Sequence, residues 1–290
     1  MSDDVTPDKA RSQWVLALRR LIKSRVALLG TSVLIVFILV GIFAPILAPY
    51  NPDRMFYGQE TVPPLSKGFF LGTNSVGQDV FSYVVVGLRT SLYVGFGALA
   101  IEILIALIVG GIAGYYGGVL DELLMRFADV VMTIPPLILL ITAVSMLRVR
   151  SLSLIIFFMA FVNWPWMARV VRAEILSKKE EPFVEEGRSM GFSKTYLLVR
   201  YIFPTILSPV IVLGTLDVAY FILYEATLSF LGLGDPTSIS LGILVSIGRS
   251  VLVSAWWVSF FPAVVIFLLV FSLNLMGDGL RDALDVKTKR

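Results

Sequence analysis

The sequence predicts an all-α membrane protein with six transmembrane helices and one long cytoplasmic loop. Of its 290 residues, 57% are hydrophobic and only 16% are charged, whereas soluble domains have about 45–50% apolar and about 25% charged residues. A helix needs about 20 mostly apolar residues to cross a hydrocarbon core of roughly 30 Å. Six stretches are candidates for spans, at residues 26–48, 91–113, 124–146, 152–167, 205–230 and 253–274.

Individual spans carry further signals. The first is a retained anchor, because its apolar run exceeds the core of about 7–15 residues found in signal peptides. The third contains Pro135-Pro136, and a broken helix in lipid needs neighbouring helices or a cavity to satisfy its freed carbonyl. That span is therefore expected in the interior of the bundle. The fourth span is the shortest.

Lys and Arg concentrate before the first span, after the fourth and after the last. Six crossings place these segments on one side, and the positive-inside rule makes that side the cytoplasm. The chain then divides into a cytoplasmic tail (1–25), the first span (26–48), an extracytoplasmic loop (49–90), a five-helix core (91–276) and a cytoplasmic tail (277–290). The core contains a cytoplasmic loop at 178–204. The net charge of +3 at pH 7 has the same origin and does not indicate nucleic-acid binding.

The residues missing from the sequence exclude several kinds of chemistry. The chain has neither Cys nor His, so it has no disulfide, thiolate metal site or Ser-His nucleophile. The nearest match to a phosphate-binding loop, Gly191 to Thr195, has no glycine before its lysine and no preceding strand. We therefore expect no enzymatic activity, no cofactor and no metal.

The cytoplasmic loop at 178–204 is longer than a simple turn requires and carries apolar side chains among its charges. Exposed apolar residues in a polar segment are typical of a docking surface. We expect a short helix at 182–189, ended by Gly191, and a second helix at about 193–201. Pro204 suits the first turn of the next span. Phe183, Val184 and Met190 are the expected apolar contacts, with Glu185 meeting a basic partner.

Two features near the third span concern helix packing. Gly110, Gly114 and Gly118 are four residues apart, a spacing that lets helices approach closely in lipid. Arg126 and Asp129 have the i, i+3 spacing of an ion pair on one helix face.

Three acidic residues lie within the spans: Glu102, Asp217 and Glu225. Intramembrane carboxylates usually face a bundle interior or a water-filled path. They are candidates for a translocation path, Glu225 first among them. The alternative is hydrogen bonding between helices.

The first external loop contains paired glycines at turn spacing within residues 71–80. A surface loop and a partner-binding segment are equally compatible with this pattern.

Together these residues resemble the inner-membrane permease subunits of ABC importers, most closely the dipeptide/oligopeptide branch. The family pattern is Glu-Ala-Ala, three residues, Gly, nine residues, Ile-x-Leu-Pro, and Glu185, Gly191 and Pro204 match it in register. Similar motifs occur at 71–79 and 113–135. Others occur at 228–234 and 274–285. The departures are Glu186 and Gly187 for the two alanines, Tyr201 for Ile and Phe203 for Leu.

The resemblance implies the type I ABC importer permease fold in the cell membrane, with residues 178–204 as the loop that couples to the ATPases. It implies a heterodimer with a second permease, two cytoplasmic ATPase subunits, an extracytoplasmic solute-binding protein and contact with membrane lipid. Candidate binding-protein contacts are Gly72, Thr73, Asn74, Gly77 and Asp79.

Peptides are the substrate that this branch implies most directly. Similar permeases also move oligosaccharides or nickel, so those substrates remain alternatives. An alternative interpretation, from a different functional class, is a channel or membrane scaffold without ATPase coupling.

Overall fold

The computed structural model describes residues 24–146 and 150–284, and in this part of the chain the regular structure is helical. Five helices are long and apolar enough to cross a membrane, or six if one bent pair counts as a single span. The helices are α1 (Arg25–Ile42), α2 (Ala44–Leu47), α3 (Val80–Tyr116), α4 (Gly118–Met132), α5 (Pro136–Ser145), α6 (Leu152–Lys178), α7 (Pro182–Ser189), α8 (Lys194–Leu197), α9 (Phe203–Phe230), α10 (Leu241–Arg249) and α11 (Trp257–Leu284).

The central pair of the bundle is α3 and α6, which pack along each other. α9 packs against α3 and α11 and also contacts α6, and α1 packs against α11 and α3. The short helix α10 lies against α11 and α9. The N-terminal anchor is thus part of the bundle rather than separate from it.

Several helices extend beyond the predicted spans. α3 begins at Val80, inside the stretch assigned to the external loop, because Asp79 caps it by accepting a hydrogen bond from Ser82 N at 2.8 Å. At about 1.5 Å per residue, its 37 residues exceed the hydrocarbon thickness. α6 continues to Lys178, and α11 continues to Leu284, into the predicted C-terminal tail. The N-terminal tail lies almost wholly outside the described residues.

The proline break in the third predicted span is confirmed. α4 and α5 meet at an angle of 81° around Pro135 and Pro136. Proline cannot donate to the preceding turn, so the helix restarts in a new direction. The sequence reasoning missed α10.

The predicted helix at 182–189 is α7. The second helix starts at Lys194, as expected, but does not end near Tyr201. It continues through a π-helical turn, Leu198–Ile202, directly into α9. The wider turn lets the N–H of Phe203 reach the carbonyl of Leu198, and Pro204 then lies in the first turn of α9.

Candidate functional site

α7 presents one face to the bundle and the other to solvent. Val184 is fully buried, in a cluster that includes Leu197 and Ile202. Gly187 is also buried, and a Cβ at that position would lie 2.6 Å from Leu197 Cδ2. The expectation that Val184 offers an apolar contact to a partner is therefore wrong, because the chain uses this side chain to anchor α7.

The end of α7 is a Schellman motif. The N–H of Phe192 bonds to the carbonyl of Gly187, and the N–H of Gly191 bonds to that of Arg188, at 3.1 and 3.0 Å. This pattern requires a left-handed residue after the last helical turn, and Gly191 has φ +82°. A Cβ at Gly191 would meet no atom within 4 Å. The glycine is therefore needed for its backbone conformation and not for space.

Three aromatic rings hold the turn after α7. Phe192, Tyr196 and Tyr201 have ring centroids 5.0 to 6.0 Å apart. Offset aromatic pairs at this distance stabilise by about 0.5–1.5 kcal/mol. The sequence reasoning did not identify this cluster, although three aromatic residues within ten positions of a polar loop were a usable signal.

The solvent face of α7 is acidic with one prominent apolar side chain. Pro182, Glu185, Glu186, Ser189 and Met190 line a shallow depression. Met190 is 70% exposed. Neither glutamate forms an ion pair within the described residues. We call these five residues the α7 surface, and its chemistry complements a partner that is both basic and apolar. Phe183 is half-buried and packs against the cluster that contains Val184.

Ion pairs join the broken helix to α6. Asp121 binds Arg172 at 2.5 Å, and Asp129 binds Arg169. The expected pair between Arg126 and Asp129 is wrong, since Arg126 instead lies 3.6 Å from Glu122. Arg126 has the right spacing to pair with Asp129, but Arg169 of α6 binds Asp129 instead.

The close helix approach predicted from glycine spacing is confirmed for Gly110 and Gly114. A Cβ at Gly110 would collide with the carbonyl oxygen of Ala168 in α6, and one at Gly114 would lie 3.0 Å from the carbonyl oxygen of Arg172. Gly118 has no such neighbour. It has φ +62° at the start of α4, so it turns the chain.

Of the three intramembrane acids, Glu225 points into the bundle. It is 2% exposed, and its carboxylate accepts hydrogen bonds from Ser229 at 2.7 Å and from Ser91 of α3 at 3.4 Å. This arrangement matches the alternative of hydrogen bonding between helices. The signal in the sequence was Ser229, one helical turn after Glu225.

Glu102 on α3 and Asp217 on α9 lie close enough to interact electrostatically. Glu102 is fully buried, and neither of its carboxylate oxygens has a hydrogen-bond partner among the described residues. Asp217 is half-buried, and its Oδ2 is likewise unpartnered. The sequence identified both residues but not their proximity.

The external motif is buried, which corrects the expectation that it contacts a binding protein. Gly72, Thr73, Asn74, Gly77 and Asp79 all lie inside the folded loop. Asn74 Oδ1 accepts from the N–H groups of Val76 and Gln78, and its Nδ2 donates to Gln78 Oε1 at 2.8 Å. Polar residues of this kind stabilise a turn.

A tryptophan that sequence reasoning did not single out fixes the external loop to the bundle. Trp257 at the start of α11 donates its indole N–H to the carbonyl of Thr73 at 3.2 Å. Gly72, with φ +79°, leaves room for this contact, since a Cβ there would lie 2.7 Å from Trp257 Nε1. The loop thus caps α3 and α11 instead of presenting its motif to solvent.

Comparison with known proteins identifies the family. Residues 103–290 match the family described as "Binding-protein-dependent transport system inner membrane component". Residues 12–64 match the "N-terminal TM domain of oligopeptide transport permease C".

Curated relatives cover nearly the whole chain. The oligopeptide transport system permease protein OppC of Bacillus subtilis is 36% identical over 97% of this chain and 92% of its own length. The dipeptide permease DppC of Alkalihalophilus pseudofirmus is 37% identical over the same shares. The glutathione permease GsiD of Escherichia coli O157:H7 is 38% identical over 98% of this chain and 94% of its own.

Each of these relatives is named as the permease protein of a transport system. The matches span both the N-terminal anchor and the helical core. The chain belongs to the family of inner-membrane components of binding-protein-dependent transport systems, as a permease subunit of an ABC importer.

Proposed function

We propose that the chain forms one half of the translocation pore of an importer for di- and oligopeptides, and that the α7 surface docks on a cytoplasmic ATPase subunit. The names of the curated relatives support the substrate class, since they refer to oligopeptides, dipeptides and the tripeptide glutathione.

The observation that carries the coupling role is the division of α7 into an anchored and a free face. Val184 and Gly187 fix the helix to α8 and the bundle. Glu185, Glu186 and Met190 point away from it. A rigidly held helix transmits a displacement at its free face to the spans that it packs against, which is what coupling to ATP hydrolysis requires.

The proposed assembly has a second, similar permease, two ATPase subunits and a solute-binding protein. Both termini and the loop at 178–204 lie in the cytoplasm, and residues 49–79 lie outside. Because the motif at 72–79 is buried, we assign contact with the binding protein to exposed apolar residues of the same loop. These are Tyr57, Leu65 and Phe70, which are 61% to 86% exposed.

Uptake by reconstituted vesicles tests this function. The chain, its partner permease and the ATPases are reconstituted, and uptake of a radiolabelled dipeptide is measured with binding protein outside and ATP inside. We expect uptake that needs both ATP and binding protein. Uptake independent of ATP would support a channel, and preference for an oligosaccharide over any peptide would contradict the substrate class.

A further inference from the structure

One face of α9 carries a polar stripe within a hydrophobic span. Asp217, Tyr220 and Tyr224 are three and four residues apart, so they lie on the same helix face. Tyr220 is 57% exposed, while Asp217 and Tyr224 are half-buried. The two tyrosine rings have centroids 6.5 Å apart. The stripe thus reaches the surface of this chain at Tyr220, and Asp217 is partly exposed on the same helix face.

A second carboxylate lies behind the stripe. α3 and α9 approach closely here, because a Cβ at Gly214 would lie 2.9 Å from Leu99 Cδ1 and 3.7 Å from Ile103 Cδ1. Glu102 precedes Ile103 and lies three residues after Leu99 on α3, and it interacts electrostatically with Asp217 across the contact. Its two oxygens, fully buried, have no hydrogen-bond partner among the described residues.

Two facing carboxylates in a medium of low polarity repel each other strongly, and burying them costs free energy unless a positive group joins them. Neither acid forms an ion pair within the described residues. A positive group from outside the described residues would relieve this repulsion, and the partly exposed Asp217 gives it a way in. The faces of tyrosine rings attract organic cations, which favours an ammonium group over a metal ion.

We propose that Asp217, backed by Glu102 and flanked by Tyr220 and Tyr224, binds a cationic amine of the transported molecule. This rests on the proposed function, since it places the exposed face of α9 on the translocation path. A peptide carries such an amine at its N-terminus. Glu225 is not part of the site, because its carboxylate is bonded to Ser229 inside the bundle.

Thermal unfolding of the assembled importer, without binding protein, tests the site directly. Propylammonium chloride is the probe, compared with sodium chloride at equal ionic strength and with propanol, its uncharged counterpart. We expect the unfolding midpoint of the wild type to rise with propylammonium alone. Asp217→Asn and Glu102→Gln should weaken the apparent affinity about tenfold or more. Asp278→Asn, at an exposed position of α11, is the matched control and should respond like the wild type.

Variants of Tyr220 keep the test decisive if the Asp217→Asn and Glu102→Gln proteins do not fold. Tyr220→Phe retains the ring and should bind the probe, whereas Tyr220→Leu should bind it less well. An equal response to sodium, no response in the wild type, or responses unchanged in all variants would overturn the site. Dipeptide uptake by the wild type is measured in parallel, so that intact uptake without probe binding overturns this inference while leaving the transport function standing.

Discussion

Asp121 in α4 accepts two hydrogen bonds from the guanidinium of Arg172 in α6, from Nε at 2.5 Å and from the terminal nitrogen Nη2 at 2.6 Å. The side chains are 17% and 33% exposed. α6 leads to Lys178, shortly before α7 begins. The pair therefore ties the broken helix to the element that carries the α7 surface.

Arg172→Ala should destabilise the protein by about 1–3 kcal/mol, because it leaves a partly buried carboxylate without its charged donor. Thermal unfolding in detergent measures the change. The matched control is Arg126→Ala, whose pair with Glu122 is 75% and 68% exposed and should contribute no more than about 0.5 kcal/mol. Equal effects of the two substitutions would show that the pair of Arg172 with Asp121 stabilises the protein no more than the exposed pair of Arg126 with Glu122.

Gly191→Val should reduce the stimulation of ATP hydrolysis by substrate, while the protein still inserts in the membrane. The backbone at φ +82° costs an L-residue roughly 1–2 kcal/mol, and Asn tolerates this conformation better than Val. Substrate-stimulated ATP hydrolysis by the reconstituted importer should therefore fall in the order glycine, asparagine, valine. Equal activity of the asparagine and valine variants would rule out the backbone conformation as the cause.

Asp235 joins the segment between α9 and α10 to the start of α6, and its effect on stability should depend on pH. Burial opposes its ionisation, but hydrogen bonds from the side chain and backbone of Thr237, the backbone of Leu152 and the side chain of Ser238 outweigh burial and lower its pKa. The stability that the carboxylate contributes is therefore present above the unfolded value of about 3.9 and is lost as the pH falls through the lower folded value.

The unfolding midpoints of the wild type and Asp235→Asn, measured from neutral pH to below about pH 4, test this dependence. The wild type should be more stable at neutral pH, and the difference should shrink in acid. A difference that does not change with pH would show that ionised Asp235 does not stabilise this contact.

Cysteine labelling tests the proposed orientation, and the chain has no cysteine to interfere. Lys67→Cys and Ser189→Cys place single thiols at exposed positions. An impermeant thiol reagent added to intact cells should label position 67 and not 189. Labelling of position 189 and not of position 67 would contradict the proposed orientation.

Local chemistry made the loop predictable from sequence. Pro182 begins α7 and Gly191 ends it, and both effects need only the neighbouring backbone. The proline break between α4 and α5 follows in the same way. The continuous helix through Leu198–Ile202 could not be predicted, because the π-helical turn allows the chain to pass Pro204 without stopping.

Tertiary packing decided what the sequence left open. Val184 looked like an exposed apolar residue, but Leu197 and Ile202 cover it. Asn74 looked available to a partner, yet its side-chain amide donates a hydrogen bond to Gln78. Glu102 and Asp217 are far apart in sequence, so only the packing of α3 against α9 brings them together.

Photo-crosslinking from position 190 tests the coupling role of the α7 surface most directly. A benzoylphenylalanine replaces Met190, which is 70% exposed, and the control places it at Tyr57, which is 86% exposed on the proposed outer side. In the assembled importer we predict a crosslink to the ATPase subunit from position 190 and none from position 57. Absence of an ATPase crosslink from position 190, in an importer that still transports its substrate, would contradict the account.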